Sequence, residues 1–316
     1  MNLILGSYGT LPRPLQGPED FDVLTERSVR IEGVTGLEAP FMEASSPWRD
    51  AALLARLAGD HVLTTIPAVM SAVERDPRVG PAAVDEEGRA AALRILRAAC
   101  EFVRDVNADG EGRISTVQVH SAPGRGASSA DAFARTLDEV RDWDWSGAEL
   151  AVEHCDALRG DHPPAKGFLS LEEEIALCAE RGIGTVVNWG RSAIETRDAD
   201  GPAAHILAAR EAGTLVGVVF SGCADADGPY GAAFDDRHVP MRGWGDGPLA
   251  AAADASLLTR DEVARCVGLA LDAPGLRYLG VKVKAPAGSG PEDWAPFLEA
   301  HVRAVARAAD GVAVVG

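Results

Sequence analysis

The chain has 316 residues, 47% of them hydrophobic and 25% charged, which is enough apolar material for a large core, and no stretch reads as disordered. A formal net charge of −18 opposes nucleic-acid binding, which needs clustered Lys and Arg to neutralise phosphates. No run approaches the ~20 apolar residues of a membrane helix, and the opening MNLILGSYG is too short and lacks the basic residues of a secretory signal, so a cytoplasmic protein with neither nucleic acid nor membrane as partner is expected.

Short β-branched runs recur along the chain, each followed by a segment of helical spacing. Strands are expected at Asn2–Ser7, Val34–Glu38, His61–Ile66, Ile114–His120, Glu149–His154, Gly184–Asn188, Leu215–Ser221 and Tyr278–Lys284. Helices are expected at Ala52–Leu57, Arg89–Val106, Ala130–Arg141, Leu171–Arg181, Ala203–Ala212, Arg260–Leu271 and Pro291–Ala309. Ser170 with Glu173 and Thr259 with Glu262 fit capping boxes, and Gly182 and Gly213 sit where left-handed helix ends belong.

Eight strands alternating with helices predict a single (β/α)8 TIM barrel, one domain over residues 1–316, since such barrels commonly run to ~250 residues and more. An open doubly wound sheet would carry GxGxxG after its first strand; here that position reads GSYGTLPRP. The connection 222–258, rich in Gly, Ala and Asp, is far longer than an ordinary loop and reads as a lid or a subunit contact, which leaves a homo-oligomer open. The apolar tail GVAVVG is expected to pack on the barrel. Five scattered cysteines form no CxxC pair and read as buried thiols.

Catalytic groups of such barrels sit at the C-terminal strand ends, and here those ends carry Glu38, His120, Glu153, Asn188, Ser221 and Lys282. The chain has only three lysines, Lys166, Lys282 and Lys284, none of them in a predicted helix. An ammonium there suits acid catalysis, carbonyl recognition or a Schiff base, or else an ion pair with Glu153 or Glu38. Glu153 is the expected general base, with His120 or Lys282 as acid. Asn188, Glu38, Lys284 and Lys166 are candidate substrate contacts, as are Arg191 and Glu195, which by spacing could instead pair with each other. His154 alternates in direction with Glu153 and could serve the substrate or only orient its loop; His238 belongs to the long seventh loop. Trp189 is expected to join the core. SAPGRGASS could hold an anion at a helix start, though a capped turn is the plainer reading.

The succession GLEAPF, HSAP, EHCDA, NWGRSAIE and VFSG resembles an uncharacterised domain-of-unknown-function family placed among the xylose-isomerase-like TIM barrels, and the resemblance covers nearly the whole chain. It implies the barrel and a small carbohydrate or related hydroxy-carbonyl substrate. The wider superfamily commonly binds a divalent metal through strands five to eight. Glu153 matches the fifth-strand carboxylate, but Asn188, Ser221 and Lys282 stand where further ligands would be expected. No cofactor is therefore predicted; should a metal bind, Glu38, His120 and Glu153 are the set that could hold it. The reading is an isomerase or epimerase working by proton transfer, with a lyase or hydrolase of a sugar derivative, a Schiff-base route included, and a non-catalytic carbohydrate-binding barrel as alternatives.

Overall fold

The computed structural model describes residues 1–10, 18–124 and 126–313. In chain order the elements are β1 (Asn2–Leu5), α1 (Pro18–Val29), β2 (Gly36–Pro40), α2 (Ala51–Arg56), β3 (Gly59–Thr64), α3 (Ile66–Arg75), α4 (Glu86–Ala108), β4 (Gly112–Val119), α5 (Ala130–Arg141), β5 (Glu149–His154), α6 (Leu171–Arg181), β6 (Gly184–Asn188), α7 (Trp189–Thr196), α8 (Gly201–Glu211), β7 (Leu215–Phe220), α9 (Pro248–Ala251), α10 (Arg260–Leu271), β8 (Tyr278–Val281) and α11 (Pro291–Ala313). The eight strands form a closed barrel in sequence order, a (β/α)8 TIM barrel as the strand count predicts. Contacts divide the chain into two compact units, Met1–Glu38 with Val187–Gly316, and Ala39–Val186.

Register decides which residues share a level. In the first unit Leu5 pairs with Leu37 of β2 and with Val281 of β8, and Phe220 of β7 also pairs with Val281. One residue further on, Gly6, Glu38, Ser221 and Lys282 stand at the strand ends. In the second unit Val119 of β4 pairs with Val152 of β5, so His120 and Glu153 come next to each other.

Local chemistry sets the boundaries. Ser170 and Glu173 form a complete capping box at α6, and Gly182 ends that helix at φ 65°. Gly213, after α8, likewise has φ 72°. At α10 the Thr259 hydroxyl accepts from Glu262 N–H, but the Glu262 carboxylate lies 3.5 Å from Arg265 instead of completing a box. Three expectations need correction. Ile66 opens α3 rather than ending a strand, with Pro67 in the first turn, where its missing N–H costs nothing. Residues 189–196, where no helix was expected, form α7, because the Asn188 side chain caps the helix at once. Strand eight ends at Val281, three residues before Lys284.

The 222–258 segment is folded onto its own unit. Antiparallel bridges join Gly222 to Val239 and Ala224 to Ser256, and Cys223, Met241 and Ser256 are buried. The imidazole of His301 on α11 pins it by accepting the Met241 N–H at 3.0 Å. In SAPGRGASS, Ser129 accepts from Ala132 N–H and caps α5, the plainer of the two readings, while Arg125 lies outside the described residues. So do residues 314–316 of the apolar tail. Among the described residues no helix is long and apolar enough to cross a membrane.

Candidate active site

In the second unit, His120 and Glu153 are both fully buried, and His120 Nε2 lies 2.7 Å from Glu153 Oε2. The β4–β5 register brings them level, and the hydrogen bond offsets the cost of removing a carboxylate from water. The next residue along each chain segment makes a separate network. His154 Nδ1 lies 2.7 Å from Glu174 Oε2, and the Ser121 hydroxyl donates to Glu174 Oε1 at 2.5 Å. Asp156 fastens the loop after β5 by accepting the backbone N–H groups of Lys166 and Gly167. Lys166 is thereby placed by its backbone, with its side chain half-buried.

In the first unit, Lys282 is fully buried and its Nζ lies 2.7 Å from Glu38 Oε1. The Tyr8 hydroxyl donates to the same oxygen at 2.9 Å and accepts from Lys282 Nζ at 3.3 Å. The lysine stem runs past two glycines: a Cβ on Gly6 would meet Lys282 Cβ at 3.1 Å, and one on Gly9 would meet Lys282 Cγ at 3.2 Å. Glu38 is one of the two carboxylates the sequence offers Lys282 as a partner, and the two are in contact. Lys284, beyond the strand, is half-buried and donates its backbone N–H to the His238 carbonyl.

The long segment after β7 contributes His238 and Asp236. His238 adopts φ 54°, a left-handed conformation that histidine tolerates better than most side chains. Its Nδ1 lies 2.8 Å from Ser221 Oγ and 3.5 Å from Asp236 Oδ1. Serine and carboxylate thus share one ring nitrogen, whereas a nucleophilic triad needs them on opposite nitrogens. Asp236 also lies 3.3 Å from Arg191 Nε, and Glu195 lies 3.9 Å from His205. Asn188 Oδ1 accepts the Arg191 N–H as the cap of α7. Trp189 is fully buried, as expected of a core residue.

The five cysteines are free and buried. Burial pushes the thiols of Cys178, Cys223 and Cys266 up to about 12, so they hold little thiolate at neutral pH. A cavity of about 1060 Å³ also opens in the first unit, but at the start of β1, lined by Asn2, Ile31, Leu279 and Arg303. That is the N-terminal end of the strands, opposite the end that carries Glu38, Ser221 and Lys282.

Sequence reasoning missed Tyr8, Ser121 and Glu174. Tyr8 and Ser121 lie just beyond strand ends and could have been found there. Glu174 hid in the run of three glutamates opening α6, although its spacing with the buried Leu171 and Cys178 puts it on the apolar stripe of that helix.

A sequence profile for a domain of unknown function, DUF4862, matches residues 4–293. The chain belongs to the DUF4862 family. Its likeness to an uncharacterized protein of Salmonella typhimurium is 36% identity over 245 residues, covering 75% of this chain and 78% of the other. Among solved structures, this DUF4862 barrel is similar to a xylose isomerase domain protein from Alicyclobacillus acidocaldarius, with TM-score 0.58, 14% identity, and 98% and 99% of the two chains covered. It is also similar to D-allulose 3-epimerase from Methylomonas sp., solved in complex with D-allulose, with TM-score 0.53, 12% identity, and 100% and 96% covered. At these identities the likeness is one of fold.

A divalent cation, common in the xylose-isomerase-like superfamily that the sequence resembles, does not fit the donors of this DUF4862 chain. Where the eighth strand should offer a carboxylate stands the Lys282 ammonium, whose charge repels a metal. Its partner Glu38 is committed to Lys282 and Tyr8, and Glu153 to His120. Among the described residues no group of three or more His, Cys, Asp or Glu could hold a metal ion.

Proposed function

We propose that this protein is a sugar isomerase or epimerase, or acts likewise on a related hydroxy-carbonyl compound, by acid–base proton transfer. The observation that carries the reading is the 2.7 Å contact between the fully buried His120 and Glu153 at adjacent strand ends. Glu153 takes a proton from the carbon beside a carbonyl, and the imidazole that shares its hydrogen bond relays or returns a proton, which requires no group beyond these two. The substrate class draws support from the fold shared with D-allulose 3-epimerase. Lys166, in the same unit as the pair, is the candidate substrate contact there. A cytoplasmic setting suits the five free thiols.

The Schiff-base lyase draws less support. Imine formation needs an accessible amine, and Lys282 Nζ is fully buried in contact with Glu38 and Tyr8.

The test is solvent exchange in D2O across a panel of ketoses and aldoses, read by mass spectrometry. One carbon-bound deuterium should enter a substrate, and Glu153→Gln should slow entry by about 10²–10⁴-fold. Exchange into no sugar of the panel, or exchange indifferent to Glu153→Gln, would overturn the reading.

A further inference from the structure

Glu174 is fully buried in the same unit as His120 and Glu153, on the first turn of α6. Its two oxygens are divided between two donors. Oε1 receives the Ser121 hydroxyl at 2.5 Å, and Oε2 lies 2.7 Å from His154 Nδ1. Ser121 Oγ also accepts the Leu169 N–H at 3.2 Å, which leaves its own proton for Glu174. Ser121 directly follows His120, and His154 directly follows Glu153. One carboxylate therefore ties together the residues next in line after each member of the buried pair.

We propose that Glu174 is a positioning residue that sets the separation and orientation of His120 and Glu153. The proposal rests on reading that pair as the acid and base. Glu153 and His154 alternate across β5, so the tie is made on the other side of the strand from the pair it governs. α6 is a firm base for it: the capping box fixes the first turn, and the helix N-terminus favours a negative charge there. Packing alone does not call for a glutamate, because an apolar side chain of similar volume fills such a place without burying a charge. What an apolar side chain cannot do is accept from Ser121 and His154 together.

The test uses the full-length protein with Glu174→Gln and Ser121→Ala. Glu174→Gln keeps the shape but offers one acceptor oxygen to two donors; Ser121→Ala removes one arm and leaves the carboxylate in place, so it decides the matter should the first variant fail to fold. On a sugar that exchanges, kcat should fall by about 100-fold in Glu174→Gln with KM nearly unchanged, since a misplacement near 1 Å costs that much, and less in Ser121→Ala. Independently of turnover, long-range ¹H–¹⁵N spectra report the imidazole nitrogens of His120, assigned by their loss in His120→Gln. Both variants should displace the His120 Nε2 resonance and hasten exchange of its hydrogen-bonded proton. His120 resonances unchanged in both variants would overturn the proposal. If no sugar exchanges, the functional reading fails while displaced His120 resonances still support the positioning role.

Discussion

Lys282 Nζ lies 2.7 Å from Glu38 Oε1, and neither side chain is more than 2% exposed. Buried at this depth, each charge is tolerable only because the other is present. Lys282→Met should destabilise the fold by about 3–5 kcal/mol by leaving Glu38 buried without its counter-charge. Combining it with Glu38→Gln should recover much of that loss. Urea unfolding of the single and double variants measures both effects, and equal losses in the two would contradict the pairing.

Asn188 serves α7 through Oδ1, which accepts the Arg191 N–H. Asn188→Ala should cost about 1 kcal/mol as a lost cap. Asn188→Asp keeps an acceptor for the Arg191 N–H and should hold stability near wild type. Thermal unfolding of the two variants checks both expectations.

The segment just beyond His120 is clamped by a glycine. A Cβ on Gly80 would lie 2.2 Å from the Ala122 carbonyl, and Ala82 N–H already donates to that carbonyl at 2.7 Å. Backbone cannot yield as a side chain would, so Gly80→Ala should destabilise by about 1–3 kcal/mol or more and disturb His120 with it. Gly147→Ala meets nothing within 4 Å, though its φ of 81° makes it a control for backbone strain alone.

His301 donates Nδ1–H to the Phe297 carbonyl and accepts the Met241 N–H at Nε2, an arrangement that requires a neutral ring. Burial pushes its pKa down from 6.5 to about 4. Between those values the unfolded chain binds the proton and the folded chain does not, so stability is full above pH 6.5 and declines as pH falls towards 4. The loss from this group should be about 2 kcal/mol between pH 7 and pH 5. His301→Gln should flatten that part of the pH dependence in urea titrations.

The barrel was legible because eight short β-branched runs were interleaved with seven segments of helical spacing, and β5, β6, α5, α6 and α10 begin and end where the pattern places them. The strand-end rule likewise led to His120, Glu153, Glu38 and Lys282, all buried. Side-chain pairing was less legible. The sequence offered Lys282 two carboxylates and gave no means of choosing, because the choice depends on strand register. Arg191 and Glu195 suited each other by helical spacing, yet Asp236, 45 residues away, provides a partner for Arg191. Glu174 was hidden because adjacent glutamates at a helix start are ordinarily a solvated face.

Asp236 and His238 reach the ends of their unit's strands only through the 222–258 segment, which is pinned by its own bridges and by His301. The placing of these two residues is therefore set by the folding of a connection, and not by a barrel strand. Release of the His301 contact would then shift Asp236 and His238 while β7 and β8 keep their pairing.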